Sequence, residues 1–340
     1  MNPVDSPVDR YDLVIFDLDG VVFLGHEPID GAVAAINGLV DAGKPVAYAT
    51  NNASRRAGEV AALLVSLGIH AVAAEVITSA QASAAILAER LATGDPVLIV
   101  GGPALRAEIS DVGLMPVSAA EDRPRAVVQG YAPDVGWTQL AEACVAIRNG
   151  AMWIATNADR TLPSPRGELP GNGSLVAVLT TALDRQPDLV VGKPAPRLFT
   201  TAANRISATR PLVVGDRLDT DVAGAIQAGM DSLLVLTGVA TPADVLVAPV
   251  RSRPTWISAN LRGLMGGAVR VPSADSDGTA SADGWTVRSV DGDLQLDGAG
   301  TEVAALAALA AAAWAMGSEP TVTAASAAAA TALKYLRLSS

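Results

Sequence analysis

The 340-residue chain is short of the residues from which many hydrolytic and redox sites are built. Its single cysteine, Cys144, excludes an internal disulfide and points to a reducing compartment. Two histidines, His26 and His70, exclude a three-histidine zinc site, and there is no cysteine cluster to replace one. Aromatic residues make up only 4%. Half of the chain is hydrophobic, but much of that half is alanine, which buries less area per residue. Lysine occurs three times, at Lys44, Lys193 and Lys334, and arginine supplies the rest of the 24 basic residues. A GC-rich genome would give the same bias. Where lysine persists, its compact ammonium offers something arginine does not. With 35 acidic residues the formal charge is −11, which argues against electrostatic binding of nucleic acid.

Long apolar runs are missing too. The longest, Val303 to Met316, falls short of the roughly 18 residues of a bilayer span, and a packed helix is expected instead. Met1–Arg10 has neither a basic stretch nor an apolar one, so no signal peptide is expected and a cytoplasmic protein is. The 17% of charged residues is low for a disordered chain, and the length suits two or three domains.

What is present is a series of short, β-branched apolar runs: Leu13–Phe16, Pro45–Ala49, Val97–Val100, Ala126–Gln129, Met152–Ala155, Leu189–Val191, Leu212–Val214 and Leu233–Leu236. Gly, Pro, Asn or Asp bounds each one, and helical stretches such as Ala32–Val40 lie between them. This spacing predicts an α/β architecture with a parallel sheet covered on both faces. The texture changes near Arg251. Gly263–Asp283, rich in Gly, Ser and Asp, predicts a linker or long loop. Beyond it come a hairpin around Asp291-Gly292-Asp293, a helix over Thr301–Met316, a strand at Thr321–Thr323 and a helix over Ala324–Leu338.

Four of the runs end in residues that carry chemistry. Asp17-Leu18-Asp19-Gly20 follows the first, where an open parallel sheet binds ligands. Two close carboxylates repel unless a proton or a hard cation such as Mg2+ lies between them. The alternative is an ordinary turn. Thr50-Asn51-Asn52 offers a hydroxyl and amides ahead of a helix expected from Ser54, suited to phosphate oxygens or simply to capping. Gly192-Lys193-Pro194 places one of the three lysines at the same sheet edge, where the alternative is a surface lysine. Gly215-Asp216-Arg217-Leu218-Asp219-Thr220-Asp221 brings further carboxylates. Asp216 suits the same cation, whereas Asp219 and Asp221 also fit as helix-start acids.

Taken in order, D-x-D-G, T-N-N, G-K-P and G-D-x-x-x-x-D resemble the haloacid dehalogenase (HAD) superfamily of phosphatases, from about Tyr11 to Leu236. The resemblance implies that Asp17 is a nucleophile forming an aspartyl-phosphate and that Asp19 is the general acid–base. It implies that Thr50, Asn51, Asn52 and Lys193 hold the substrate phosphate. Asp17, the backbone carbonyl of Asp19, and Asp216 are implied to hold Mg2+, with Asp221 behind them, orienting Asp216, Lys193 or metal-bound water. The implied fold is a Rossmann-like HAD core over 1–94 and 188–259.

About 140 residues separate Thr50 from Lys193, more than one βα unit needs. The extra α/β stretch, 95–187, resembles the C2 cap of the NagD-like, class IIA branch. Asn51-Asn52, Ile154-Ala155-Thr156-Asn157, Leu162-Pro163 and Pro170-Gly171-Asn172-Gly173-Ser174 carry that resemblance. It implies that specificity lies between Thr156 and Gly173, with Asn157, Asp159, Arg160 and Arg166 as candidates. An arginine clamp would favour a carboxylate-bearing substrate such as phosphoglycolate, and Asn and Asp would favour a polyol phosphate. A solvated loop charge is the alternative for each arginine. The whole pattern is most similar to the actinobacterial glycerol-3-phosphate phosphatases of this family. That implies glycerol 3-phosphate as substrate, ahead of phosphoglycolate, nucleotides or pyridoxal phosphate. A non-catalytic phosphometabolite sensor and a phosphomutase are the competing readings. The implied partner is a small phosphorylated metabolite, without nucleic acid or membrane insertion, and a homo-oligomer is compatible with it. The tail, 260–340, is a small α+β appendage whose element order is similar to part of a GCN5-type acetyltransferase. Arg262-Gly263-Leu264-Met265-Gly266-Gly267 has the wrong spacing for that fold's pyrophosphate loop, so a structural or regulatory appendage is expected.

Overall fold

The computed structural model describes residues 6–162, 166–317 and 320–338. They form two compact units, one of Met1–Leu24, Pro28–Val46 and Ala208–Ser340, the other of Gly25–Glu27 and Ala47–Ser207.

In the first unit Leu13–Phe16 pairs in parallel with Pro211–Gly215, which pairs with Asp231–Val235, which pairs with Trp256–Ser258. Val269–Arg270 closes this edge, antiparallel to Trp256–Ser258. Leu13–Phe16 is buried at every position, as a strand covered on both faces requires, which is why it reads as an unbroken apolar run. The register sets Phe16 beside Val214, so the residues that follow, Asp17 and Gly215-Asp216, leave the sheet at one edge.

The tail joins the same unit. Trp285–Val290 and Asp293–Gly298 form an antiparallel hairpin. Its turn residues Asp291 and Gly292 both have positive φ, 53° and 91°, as a tight two-residue turn demands. Val322–Ala324 adds in parallel to Asp293–Gly298. The helix Glu302–Met316, capped by Thr301, is buried continuously from Ala304 to Ala313. A helix buried on all sides needs small side chains wherever neighbours press close, and alanine supplies them. Trp285, Leu294, Leu296, Leu306 and Leu309 share one apolar cluster with Leu234 and Ile257 of the large sheet and with Val245 of the helix Pro242–Leu246. The tail is thus packed onto that sheet through a common core.

The expected linker is only partly one. Within Gly263–Asp283 the structure forms the strands Val269–Arg270 and Ala280–Ala282, the second antiparallel to Trp285–Val290. Edge strands of two and three residues carry too little periodicity to stand out in a Gly/Ser/Asp-rich stretch.

In the second unit Tyr48, Ala49 and Thr50, of the strand Val46–Thr50, pair in parallel with Val76–Thr78. A separate parallel sheet runs in the order Leu189–Val190, Met152–Ala155, Ala126–Gln129, Pro96–Val100, Met115–Val117. Trp153 is fully buried on it, its indole N–H donating to Gln129 Oε1 at 3.1 Å. Among the described residues of both units, no helix is long and apolar enough to cross a membrane.

Candidate active site

The first unit gathers three carboxylates. Asp17 follows its strand directly, with its N–H bonded to Val214 O at 2.9 Å. Asp216 and Asp221 come from the end of Pro211–Gly215 and from the π-helical turn Leu218–Val222. All three are buried, and one carboxylate oxygen from each lies within 4.8 Å of the others. At that separation each pair of like charges repels by about 3–4 kcal/mol at an effective dielectric near 20. An all-oxygen, triply anionic donor set suits a hard divalent cation, and the residues present fit Mg2+.

Backbone shape makes room for this set. After Asp17 the chain turns tightly: Val22 N–H and Phe23 N–H both bond Leu18 O, at 2.9 and 3.2 Å. Gly20 has φ +84°, and a Cβ there would come within 2.5 Å of Asp216 Oδ2. Asp216 Oδ2 accepts Val239 N–H at 2.7 Å, and Thr237 donates its hydroxyl to Gly20 O at 2.6 Å. Asp19 stands apart from the buried trio. Its residue is exposed, two positions beyond Asp17. Asp219 is held by a bidentate contact with Arg217, Nε to Oδ1 at 3.1 Å and Nη2 to Oδ2 at 2.8 Å. Burial pushes the Asp219 carboxyl up, but the Arg217 contacts outweigh it and leave its pKa below the ordinary value. Asp221 brings a carboxylate oxygen within 4.8 Å of those of Asp17 and Asp216, and its Oδ2 also accepts Arg217 N–H at 3.1 Å.

The second unit carries a polar cluster of its own around Asn51. The Asn51 amide Nδ2 donates to both Asp159 oxygens, at 3.2 and 3.1 Å, and to Lys193 O at 3.2 Å, while its Oδ1 accepts Lys193 N–H at 2.7 Å. Asn51 O in turn accepts Ser79 Oγ–H at 2.6 Å and Asn157 Nδ2–H at 2.7 Å. Asn172, fully buried, donates to Asn157 O at 2.7 Å. Thr50 and Lys193 are both buried, and Thr50 Oγ1 accepts Asn52 N–H at 3.1 Å.

These contacts correct one expectation. No helix starts at Ser54: Asn52 Oδ1 accepts both Ser54 N–H and Ser54 Oγ–H, making a turn, and the helix begins at Ala57. The Asn51 side chain joins the loop at Asp159 to the loop at Lys193. Asn157 is buried and is likewise a joint, donating to Asn51 O. Arg160 and Arg166 are exposed on the loop between Thr161–Leu162 and Leu169–Pro170 or beside it, while Pro163 lies outside the described residues. Sequence reasoning missed Thr237, Ser79 and Gly238, where a Cβ would run into Asp216 Oδ2. Thr237-Gly238 follows the strand Asp231–Val235 at the same carboxyl edge, and its small residues were the available signal.

Comparison with known proteins fits this geometry. Residues 14–115 match the model of haloacid dehalogenase-like hydrolases, and residues 190–264 match that of HAD-like hydrolases. A D-glycerol 3-phosphate phosphatase of Mycobacterium tuberculosis is 52% identical over 259 residues, 76% of this chain and 72% of that protein. The chain belongs to the haloacid dehalogenase-like hydrolases. It is a phosphatase of the NagD-like branch of that family. A 5'-nucleotidase of Bacillus subtilis is 39% identical over 66% of this chain and 87% of its own length. The crystal structure of a glycerol phosphate phosphatase from Mycobacterium tuberculosis in complex with magnesium superposes with a TM-score of 0.91 at 44% identity, covering 98% of this chain and 99% of that one. A 4-nitrophenylphosphatase of Thermotoga maritima gives 0.70 at 31% identity, over 76% and 97%. Residues 282–338 match the model of a GCN5-related N-acetyltransferase like domain, as the element order of the tail suggested.

Proposed function

We propose that this chain is a Mg2+-dependent phosphomonoesterase that hydrolyses glycerol 3-phosphate to glycerol and phosphate through an aspartyl-phosphate. The observation that carries the chemistry is the buried trio Asp17, Asp216 and Asp221, with exposed Asp19 two residues beyond the first. Asp17, Asp216 and Asp221 would hold Mg2+, which offsets the negative charge of phosphate and carboxylate when bound.

An Asp17 carboxylate oxygen attacks phosphorus, and the phosphorus–oxygen bond to the alcohol breaks. The leaving alkoxide takes the proton of Asp19. Asp19, now a carboxylate, accepts a proton from water as that water's oxygen attacks the phosphorus of the aspartyl-phosphate. Inorganic phosphate leaves, Asp17 is restored and Asp19 is again protonated. Thr50 and Lys193 hold the non-bridging oxygens, and the Lys193 ammonium stabilises the charge that develops on them. Asn51 acts on Lys193 by fixing its backbone.

The substrate rests on likeness. The 52% identity to a D-glycerol 3-phosphate phosphatase exceeds the 39% to a 5'-nucleotidase, which makes a nucleoside monophosphate the second reading. We assign 1–94 and 188–259 to catalysis, 95–187 to a specificity cap whose exposed Arg160 and Arg166 are the candidate contacts, and 260–340 to a structural appendage. A small-metabolite substrate supports a cytoplasmic enzyme.

The test is phosphate release from glycerol 3-phosphate, phosphoglycolate, pyridoxal phosphate and nucleoside 5'-monophosphates, each with Mg2+ and with EDTA. Glycerol 3-phosphate should give the highest kcat/KM, with none left in EDTA or after Asp17→Asn. Turnover surviving Asp17→Asn would sink the mechanism; a nucleotide ranking first would sink the substrate.

A further inference from the structure

The second unit has a basic cavity that phosphate-ester hydrolysis does not use. It opens where the strands Ala126–Gln129, Met152–Ala155 and Leu189–Val190 begin, at the end of the sheet opposite Asn157. Its volume is about 880 Å³, the size of a small-molecule site. Four arginines line it, Arg90, Arg123, Arg125 and Arg185, against one acid, Asp188. In a chain of net charge −11, a concave surface with this excess of positive charge is out of keeping with the rest of the molecule.

Helix ends account for part of it. Arg90 lies two residues past Ser79–Ala88 and Arg185 two past Asn172–Leu183, where a cation complements the helix dipole. Both also have neighbours: Arg185 Nη2 bonds Asp188 Oδ1 at 2.5 Å, and Arg90 Nη1 faces Met152 Sδ at 3.6 Å. Arg148 shows what a carbonyl-capping arginine does in this unit, donating to Ala182 O at 3.0 Å.

Arg123 and Arg125 fit neither role. Among the described residues their side chains form no hydrogen bond and no ion pair. Arg123 also has φ +52°, a left-handed conformation at the end of a helical turn, where glycine or asparagine would be at ease. Both residues are exposed, so their guanidinium donors stand open to solvent beside those of Arg90 and Arg185, available to an anion in the cavity.

We propose that this cavity is an accessory site for a small polyanion bearing two or more phosphoryl or carboxylate groups. Guanidinium groups bind such oxygens in pairs, and two adjacent unengaged forks suit two anionic groups on one molecule. Among the described residues no aromatic side chain lines the cavity, so it offers a nucleobase no aromatic platform. Its concavity suits a compact anion, not a flat membrane surface.

Tripolyphosphate is the probe, titrated calorimetrically into the full-length protein in EDTA. The wild type should bind it, and the double variant Arg123→Gln/Arg125→Gln should bind at least about tenfold more weakly. Arg148→Gln should bind as the wild type does. The double variant should keep its turnover of phosphate ester without tripolyphosphate, which separates this site from the catalytic one. Equal affinity in the double variant, or no binding at millimolar probe, overturns the proposal. Should the double variant fold poorly, Arg125→Gln alone must still weaken binding several-fold, or the proposal falls.

Discussion

The carboxylate of Asp216 lies where a side chain on Gly20 would stand, a Cβ there falling 2.5 Å from Asp216 Oδ2. The turn that exposes Asp19 and the strand end that delivers Asp216 are therefore fitted to each other with no room for one methyl group. Gly20→Ala meets two penalties: the φ of +84° costs an L residue about 1–2 kcal/mol, and the methyl pushes Asp216 out of place. Melting should fall, and kcat should drop by roughly 100-fold because a carboxylate is misplaced by a fraction of an ångström to an ångström. A variant with wild-type kcat would show that Asp216 need not stand where it does.

Three buried carboxylates within 4.8 Å predict that Mg2+ stabilises the folded protein as well as serving the reaction. A ligand bound only to the folded state adds about 2.7 kcal/mol at a hundred times its Kd. Melting in EDTA against melting in excess Mg2+ should show an upward shift. Asp216→Asn should shrink that shift, since it removes one donor. Identical melting with and without the ion, at concentrations that support turnover, would remove these carboxylates from ion binding.

Asn51 should behave as a positioning residue. It bonds Lys193 through both the N–H and the C=O of that residue, and Asn51→Ala releases these contacts together with those to Asp159. Loss of Lys193 placement should lower kcat by roughly 10- to 100-fold while the Mg2+-induced melting shift stays intact. Asn51→Asp keeps the oxygen that accepts Lys193 N–H but sets a second carboxylate against Asp159, so it should lower the rate at least as far as Asn51→Ala. Wild-type kcat in both variants would mean that Asn51 does not position Lys193.

These relationships mark how far the sequence could be read. Buried parallel strands announced themselves because both faces are covered, so Leu13–Phe16 and Ala126–Gln129 are unbroken apolar runs. Asp17, Asp216 and Lys193 were legible because each follows such a run, at the edge where parallel sheets hold ligands. The roles of Asn51 and Asn157 were not legible. Each depends on partners more than 100 residues away, to Asp159 and Lys193 for one and to Asn51 for the other, and such partners leave no local pattern. The short edge strands Val269–Arg270 and Ala280–Ala282 were hidden because two or three residues cannot display a period.

Two groups at the start of the first strand give stability opposite pH dependences. Burial alone would raise Asp12, but hydrogen bonds from Thr209 N–H, Thr209 Oγ–H and Arg210 N–H outweigh it and hold its carboxyl below the ordinary range. A depressed acid stabilises the fold above its unfolded pKa, near 4, and that contribution fades as pH falls through the folded value. Asp12→Ala should therefore melt lower than wild type at pH 7, with the gap closing as pH falls below the ordinary aspartate range near 4. Tyr11 runs the other way. Burial, with its hydroxyl donated to Asp231 Oδ2 at 2.7 Å, pushes it up to about 12, and the Tyr11 hydroxyl oxygen accepts Trp256 Nε1–H at 2.9 Å. A raised phenol stabilises the fold below its unfolded pKa near 10 and loses that contribution as pH climbs toward 12. Tyr11→Phe leaves the buried Trp256 N–H without its acceptor, a cost of about 1–3 kcal/mol at neutral pH. Denaturant melts at pH 7 and pH 11 should show the Tyr11→Phe gap narrowing at the higher pH. A gap that widens there would mean that the Tyr11 hydroxyl titrates below its ordinary value in the folded protein.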